Sequence, residues 1–184
     1  MALHKQPEAS VDVLGRYYED QYLNILNLWR VLPDDWVLLV KEHTNAIGDR
    51  SLSFYNKINS LKNTYFLHEK EDSHEIIFKS CLVATISGTV AYEVALLSKP
   101  SITFAPTFFN ASNFCKNITL EDLKYCNNIN DLLSNDSSKQ LNDSFQSDIL
   151  SNSYEGIISD YLSDPRCMDE KNIHLITNSI ISIL

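Results

Sequence analysis

The sequence has no Gly-x-Gly-x-x-Gly, Walker or Gly-x-Ser-x-Gly pattern, so the usual signatures of dinucleotide sites, phosphate loops and nucleophile elbows are missing. Its four cysteines, Cys81, Cys115, Cys126 and Cys167, stand too far apart for a Cys-x-x-Cys redox or zinc pair. Four free thiols and no metal are expected. No uninterrupted apolar run approaches the roughly 20 residues that span a bilayer, and the N-terminus lacks the apolar stretch of roughly 7–15 residues that a secretory signal needs. The expected location is cytoplasmic, with no transmembrane segment. Basic residues are outnumbered, 15 Lys and Arg against 24 Asp and Glu, which leaves no footprint for nucleic acid or an anionic membrane. What basic charge there is lies early: 10 of the 15 precede residue 111, so an anion site is expected in that part.

What is present is a globular composition, 44% hydrophobic and 21% charged over 184 residues, enough for one domain with a sizeable core. Short β-favouring apolar runs occur at residues 37–40, 64–67, 82–86 and 101–104. Between them lie helical patterns: Tyr18, Tyr22, Ile25, Leu26, Trp29 and Leu32, ended by Pro33; then Leu52, Tyr55 and Ile58; then Ile76, Ile77 and Phe78 behind a cap at Asp72 or Ser73; then residues 89–97. The first helix is expected to begin near Val11 or Tyr17. Such alternation with short connections argues for an α/β class, a Rossmann-like parallel sheet flanked by helices. The expected organisation is a core over residues 1–110 and a helical closing segment of the same domain over 111–184. Strands are not expected after Thr119. Ile157, Ile158 and Tyr161, and then Ile173, Ile176, Ile180 and Leu184, read as closing helices. Leu132, Leu133, Leu141, Phe145, Ile149 and Leu150 leave the Asn/Ser-rich residues 127–153 between loop and intermittent helix.

The segment with the most chemistry is Ser87, Gly88 and Thr89, between a buried strand and a helix. In a parallel α/β sheet, ligands bind beyond the carboxyl ends of the strands. Gly88 admits close backbone approach, and the free N–H groups that follow favour a phosphate. Glu93, one turn later, can accept from ribose or sugar hydroxyls. The same residues also read as a capped helix start with an exposed glutamate. Lys41 and His43 leave a second strand at the same edge, and their alternation around Glu42 lets them share a face. Arg50 can add a bidentate phosphate contact if the loop folds back. His4, Gln6 and Glu8, after a short first strand, can line the site or belong to a flexible terminus.

Taken together, Leu3-His4-x-Gln6-Pro7-Glu8-Ala9-Ser10, Val40-Lys41-Glu42-His43, Arg50 with Phe54-Tyr55, Ser87-Gly88-Thr89 with Glu93, and Lys99-Pro100-x-Ile102 resemble the C-terminal half of bacterial capsule and surface-polysaccharide glycosyltransferases. The resemblance covers residues 3–109 well and the closing helices loosely. It implies the nucleotide-sugar domain of a GT-B fold, with a CMP-linked donor as substrate and no metal or other cofactor. Lys41 and His43 would contact phosphate, Ser87, Gly88 and Thr89 would cradle it, and Glu93 would hold a hydroxyl. An N-terminal acceptor domain or partner chain would complete the cleft. Thr44, Ser98 and Ala105 stand where the family commonly has Pro, Gly and Gly. A CDP-polyol phosphotransferase or nucleotide-sugar epimerase-like domain, and a non-catalytic binding module, are the alternative readings.

Overall fold

The computed structural model describes residues 1–68, 70–133 and 139–183, and of residues 139–142 the backbone alone. Leu184, assigned above to a closing helix, and the side chain of Leu141, in the stretch left open between loop and helix, lie outside the described residues. The chain divides into two compact units, Met1–Phe145 and Gln146–Leu184.

The first unit is built on parallel strands. β1 (Leu38–Val40) pairs with β2 (Thr64–Phe66), while β3 (Val83–Thr85), β4 (Ser101–Thr103) and β5 (Cys115–Asn117) pair in that order. Residues 1–3 join the two sets. Leu3 N–H donates to the Lys41 carbonyl (2.9 Å) and Lys41 N–H to the Met1 carbonyl (3.0 Å), while on the other side Ala2 N–H donates to the Ala84 carbonyl (2.9 Å). Counted as the first strand, this segment gives the spatial order 3-2-1-4-5-6, the doubly wound Rossmann order.

Alternation along the strands sends side chains to two covered faces. Leu3, Leu38, Val40, Ala84, Ile86, Ile102 and Phe104 pack in one core with Ile25, Leu28 and Val31 of α2 (Gln21–Val31) and Ile58 of α3 (Leu52–Asn59). Val83 packs with Ile77 of α4 (Ser73–Lys79) and with Val90 and Val94 of α5 (Val90–Leu96). Asp72 is the α4 cap, its carboxylate accepting from Glu75 N–H at 3.0 Å, and Lys99 closes the other end by donating to the Ile77 (2.8 Å) and Phe78 carbonyls.

Two expectations are corrected, and one strand is added. The first helix does not run from residue 11 or 17 to 32. A one-turn helix (Ala9–Asp12) and a 3-10 turn (Arg16–Tyr18) precede α2, because Gly15 lies so close to the sheet that a Cβ there would be 2.7 Å from Ile86 Cγ2, and Asp20 starts a new helix by accepting from Leu23 N–H at 3.0 Å. β5 is a strand the pattern does not announce, since only Cys115 within it is buried. Ile157 and Ile158 are not helical. In the second unit the buried Asn172 side chain accepts from Ile157 N–H (2.7 Å) and donates to the carbonyls of Ile157 and Cys167 (both 2.9 Å), taking groups that a helix would need. That asparagine belongs to the closing helix Glu170–Ile183. Residues 139–151 are helical. Among the described residues no helix is long and apolar enough to cross a membrane.

Candidate functional site

In the order 3-2-1-4-5-6 the chain reverses direction across the sheet between residues 1–3 and β3, and the crevice outside the carboxyl ends of those strands is where such folds bind ligands. His4 and Ser87 leave the sheet there. His4, 6% exposed, is fixed through its backbone: its N–H donates to Gln21 Oε1 (2.8 Å), and its carbonyl accepts from Gln21 Nε2 (3.0 Å) and from the Arg50 guanidinium (2.7 Å). The imidazole reaches across the switch point to β3, with Nε2 2.8 Å from Thr85 Oγ1 and 3.4 Å from Ser87 N, while Nδ1 lies 3.7 Å from Glu8 Oε2. One proton arrangement satisfies every contact. Nδ1 carries the hydrogen toward Glu8, and the Nε2 lone pair accepts from the Thr85 hydroxyl and Ser87 N–H, leaving Thr85 Oγ1 to accept from Gly88 N–H at 3.3 Å. Burial holds the His4 pKa below the ordinary histidine value. The Glu8 carboxylate opposes that shift, and His43 and Arg50 add to it.

The loop above the ring requires its glycine. A Cβ on Gly88 would stand 2.8 Å from Thr85 Oγ1 and 3.4 Å from His4 Cε1 and Nε2. The Ser87 hydroxyl donates to the Ser10 carbonyl (3.0 Å). The hydroxyl of Ser10 is itself buried with no hydrogen-bond partner, an orphaned polar group of the kind that a bound polar molecule or water satisfies.

The structure therefore gathers His4, Glu8, Ser87 and Gly88, and brings His43 and Arg50 close enough for their charges to act on His4. Arg50 is already committed. Its Nε donates to Glu42 Oε2 (2.6 Å), its guanidinium stacks over Phe54 (4.7 Å), and its side chain is 13% exposed beside a Glu42 side chain at 4%. It works as a buried strut under His4. His43 Nδ1 accepts from Asn45 N–H at 3.1 Å, so a neutral ring carries its hydrogen on Nε2, a donor. Gln6 is held by its neighbours, accepting from Gln21 (2.7 Å) and donating to Asp12 (3.2 Å). Thr89 and Glu93 are exposed at the start of α5.

Lys41 has different neighbours. It lines an apolar cavity of about 450 Å³ with Trp36, Glu71, Ile76, Ile77 and Leu82, a lining that includes none of His4, His43, Ser87 and Gly88. This apolar cavity and the polar cluster are thus different places, and the site is assigned to the cluster because a ligand needs oriented donors as well as volume. Sequence reasoning missed Gln21, Glu42 and Thr85. Glu42 had a visible signal, an acid between Lys41 and His43, while buried Gln21 and Thr85 had none. Among the described residues no group of three His, Cys, Asp or Glu side chains could hold a metal ion, and the four cysteines are free thiols.

No protein-family model, curated protein or solved structure matches the chain.

Proposed function

We propose that the crevice beside His4 receives the phosphate of a nucleotide sugar, and that the chain is the donor-binding part of a surface-polysaccharide glycosyltransferase. The observation that carries this reading is the meeting of His4, Ser87 and Gly88 at the switch point, where the loop backbone lies so close to the Thr85 hydroxyl that contacts the buried imidazole that a Cβ on Gly88 would stand 2.8 Å from it. Ser10, whose carbonyl accepts from the Ser87 hydroxyl, has a buried Oγ without a partner, which supports a polar occupant nearby. When a glycosyl group departs, negative charge grows on the phosphate left behind. Hydrogen-bond donors at that position stabilise it; the His43 ring offers one, and the N–H groups of Ser87 and Gly88 would turn to it from His4 and Thr85. Glu93 then faces ribose or sugar hydroxyls. The resemblance favours a CMP-linked donor, a cytoplasmic setting and a second domain or partner chain that carries the acceptor wall.

Thermal melts with CMP, UMP and GMP test the reading. A ligand at 100 times its dissociation constant adds about 2.7 kcal/mol, and a domain of roughly 150–250 residues gains about 2–4 °C per kcal/mol. CMP should raise the midpoint by about 5–11 °C. His43→Ala should shrink the shift, and His174→Ala, on an exposed side chain of the second unit, should leave it. Absence of a shift with every nucleotide refutes the phosphate site, and a larger shift with UMP or GMP refutes the cytidine assignment.

A further inference from the structure

The face of the sheet that carries α4 is not closed. Leu39 alternates along β1 with Leu38 and Val40, which are buried in the main core, and is itself only half-buried, as are Leu32, Trp36, Leu67, Ile76 and Leu82. All six line the apolar cavity of about 450 Å³. Native interiors close-pack and leave few voids larger than a water molecule, whereas this hollow has the liquid volume of about 15 waters. Its size falls among ligand pockets, which run from about 300 to 1,000 Å³.

We propose that the cavity is a second binding site, for a compact, uncharged molecule built on two or three fused hydrocarbon rings. It stands apart from the phosphate reading, since its lining includes none of His4, His43, Ser87 and Gly88.

Volume, shape and charge each narrow the occupant. A dry apolar cavity of about 150 Å³ takes benzene, so one three times larger takes up to about 18 carbons. The lining includes Ser73, at the start of α4, and Ser80, just past its end, so the hollow runs along the helix for about 10 Å. Its cross-section is then about 45 Å². One extended alkyl chain, whose carbons touch their neighbours at about 3.5–4.0 Å, fills less than half of that. A helix, about 10–12 Å across, is too wide. An extended peptide would fit, but its backbone N–H and C=O groups would lie unpaired against apolar walls. A fused ring system fills the section and brings no such groups. The charged side chains of the lining are Lys41 and Lys79 against Glu71 and Glu75, and Lys79 donates to Glu75 at 2.6 Å. The Met1 amine, also in the lining, donates to the Leu39 carbonyl, and burial lowers its pKa to about 5, which leaves it neutral at neutral pH. An ion would therefore lose its water here without meeting a net counter-charge.

Three probes test this on the intact chain by calorimetry: 2-naphthol, 1-decanol and naphthalene-2-sulfonate. The first two have the same number of carbons and one hydroxyl each but differ in shape; the first and third share a ring system but differ in charge. One 2-naphthol should bind per chain, more tightly than either of the others, with the negative heat-capacity change that marks apolar burial. Cys81 is exposed and belongs to the lining. Its alkylation by N-ethylmaleimide should slow by about tenfold when 2-naphthol is at ten times its dissociation constant, because only the free fraction reacts. Cys126, outside the lining, should keep its rate. Leu39→Trp and Ile76→Trp fill the hollow from the sheet and from the helix. Each should weaken 2-naphthol by about tenfold for every two methylenes' worth of contact displaced, and a variant is read only where its circular dichroism matches wild type. Absence of saturable binding, an unchanged Cys81 rate at saturation, or binding that a folded variant leaves at full strength overturns the proposal. Tighter binding of 1-decanol or of the sulfonate overturns it as well, in favour of a chain or an anion. So does a dimer in sedimentation that Leu39→Trp abolishes, which would put a second copy of the chain in the hollow. None of these results bears on the nucleotide melts.

Discussion

Replacing Gly88 with alanine tests the geometry of the crevice without touching its charges. The added Cβ would sit 2.8 Å from Thr85 Oγ1, 0.6 Å inside the 3.4 Å at which ordinary contact begins, and 3.4 Å from two atoms of the His4 ring. Thr85 is 1% exposed, so its side chain is enclosed by the protein. Either its hydroxyl leaves His4, stranding a buried ring nitrogen at a cost of about 1–3 kcal/mol, or the loop lifts against its packing at about 1–3 kcal/mol. The cheaper route decides, so Gly88→Ala should lose about 1–3 kcal/mol, seen as a midpoint about 2–12 °C lower. Thr85→Ala removes the atom that the new methyl meets. In that background Gly88→Ala should cost under about 0.5 kcal/mol, giving a coupling of about 1 kcal/mol or more in a double-mutant cycle. Urea titrations of the four proteins measure it. Equal costs of Gly88→Ala in both backgrounds would show that the loop does not rest on Thr85, and the arrangement drawn around His4 would be wrong.

Arg50→Ala should be more damaging, by about 3–5 kcal/mol in urea unfolding, because it leaves the buried Glu42 carboxylate unpaired; a loss below about 1 kcal/mol would mean that the pair is solvated. Gly15→Ala should cost about 3 kcal/mol, since the Cβ would meet Ile86 Cγ2 at 2.7 Å and the backbone carbonyls of Val11 and Ser10 at 3.1 and 3.2 Å, and a folded variant with an unchanged midpoint contradicts that packing. Asp122 accepts from the Thr119 hydroxyl (2.7 Å) and N–H (2.8 Å), and these bonds hold its pKa below the usual carboxylate value. The unfolded chain therefore binds this proton more readily. The contribution is fully present above the unfolded value of about 3.9 and is lost as pH falls through the folded value. Wild type should exceed Asp122→Asn in chemical-denaturation stability at neutral pH, with the gap closing in acid; a gap independent of pH sinks the assignment.

The strands that were legible are those whose residues are apolar or β-favouring enough to form runs: Leu38–Val40, Thr64–Phe66, Val83–Thr85 and Ser101–Thr103. β5 was not legible, because Lys116 is exposed on it and a single buried residue makes no pattern. Residues 1–3 hold the centre of the sheet through backbone hydrogen bonds, which carry no side-chain signature. Ile157, Ile158 and Tyr161 mimic a helix period, yet their stretch is not helical, and an asparagine 15 residues from Ile157 in sequence claims the Ile157 backbone. At the site, Ser87 and Gly88 were readable from strand, glycine and helix in sequence. The reading of Arg50 as a phosphate ligand took its charge as available, and the Glu42 carboxylate that occupies it lies eight residues earlier, at a spacing no periodicity marks. His4 was placed only as a possible lining residue. Its central position depends on the strand order, which a single sequence does not encode locally.

The strand order also sets a sequence of events. Residues 1–3 occupy a slot whose far wall, Ala84, is 82 residues downstream of Ala2. Until residues 1–3 are seated, β1 and β3 each present an unpaired edge, and unpaired parallel edges are sites where another copy's strand can insert. A segment made before both of its neighbours is seated only after the later one exists, and the two half-sheets are separate, adhesive pieces until three residues close the seam between them.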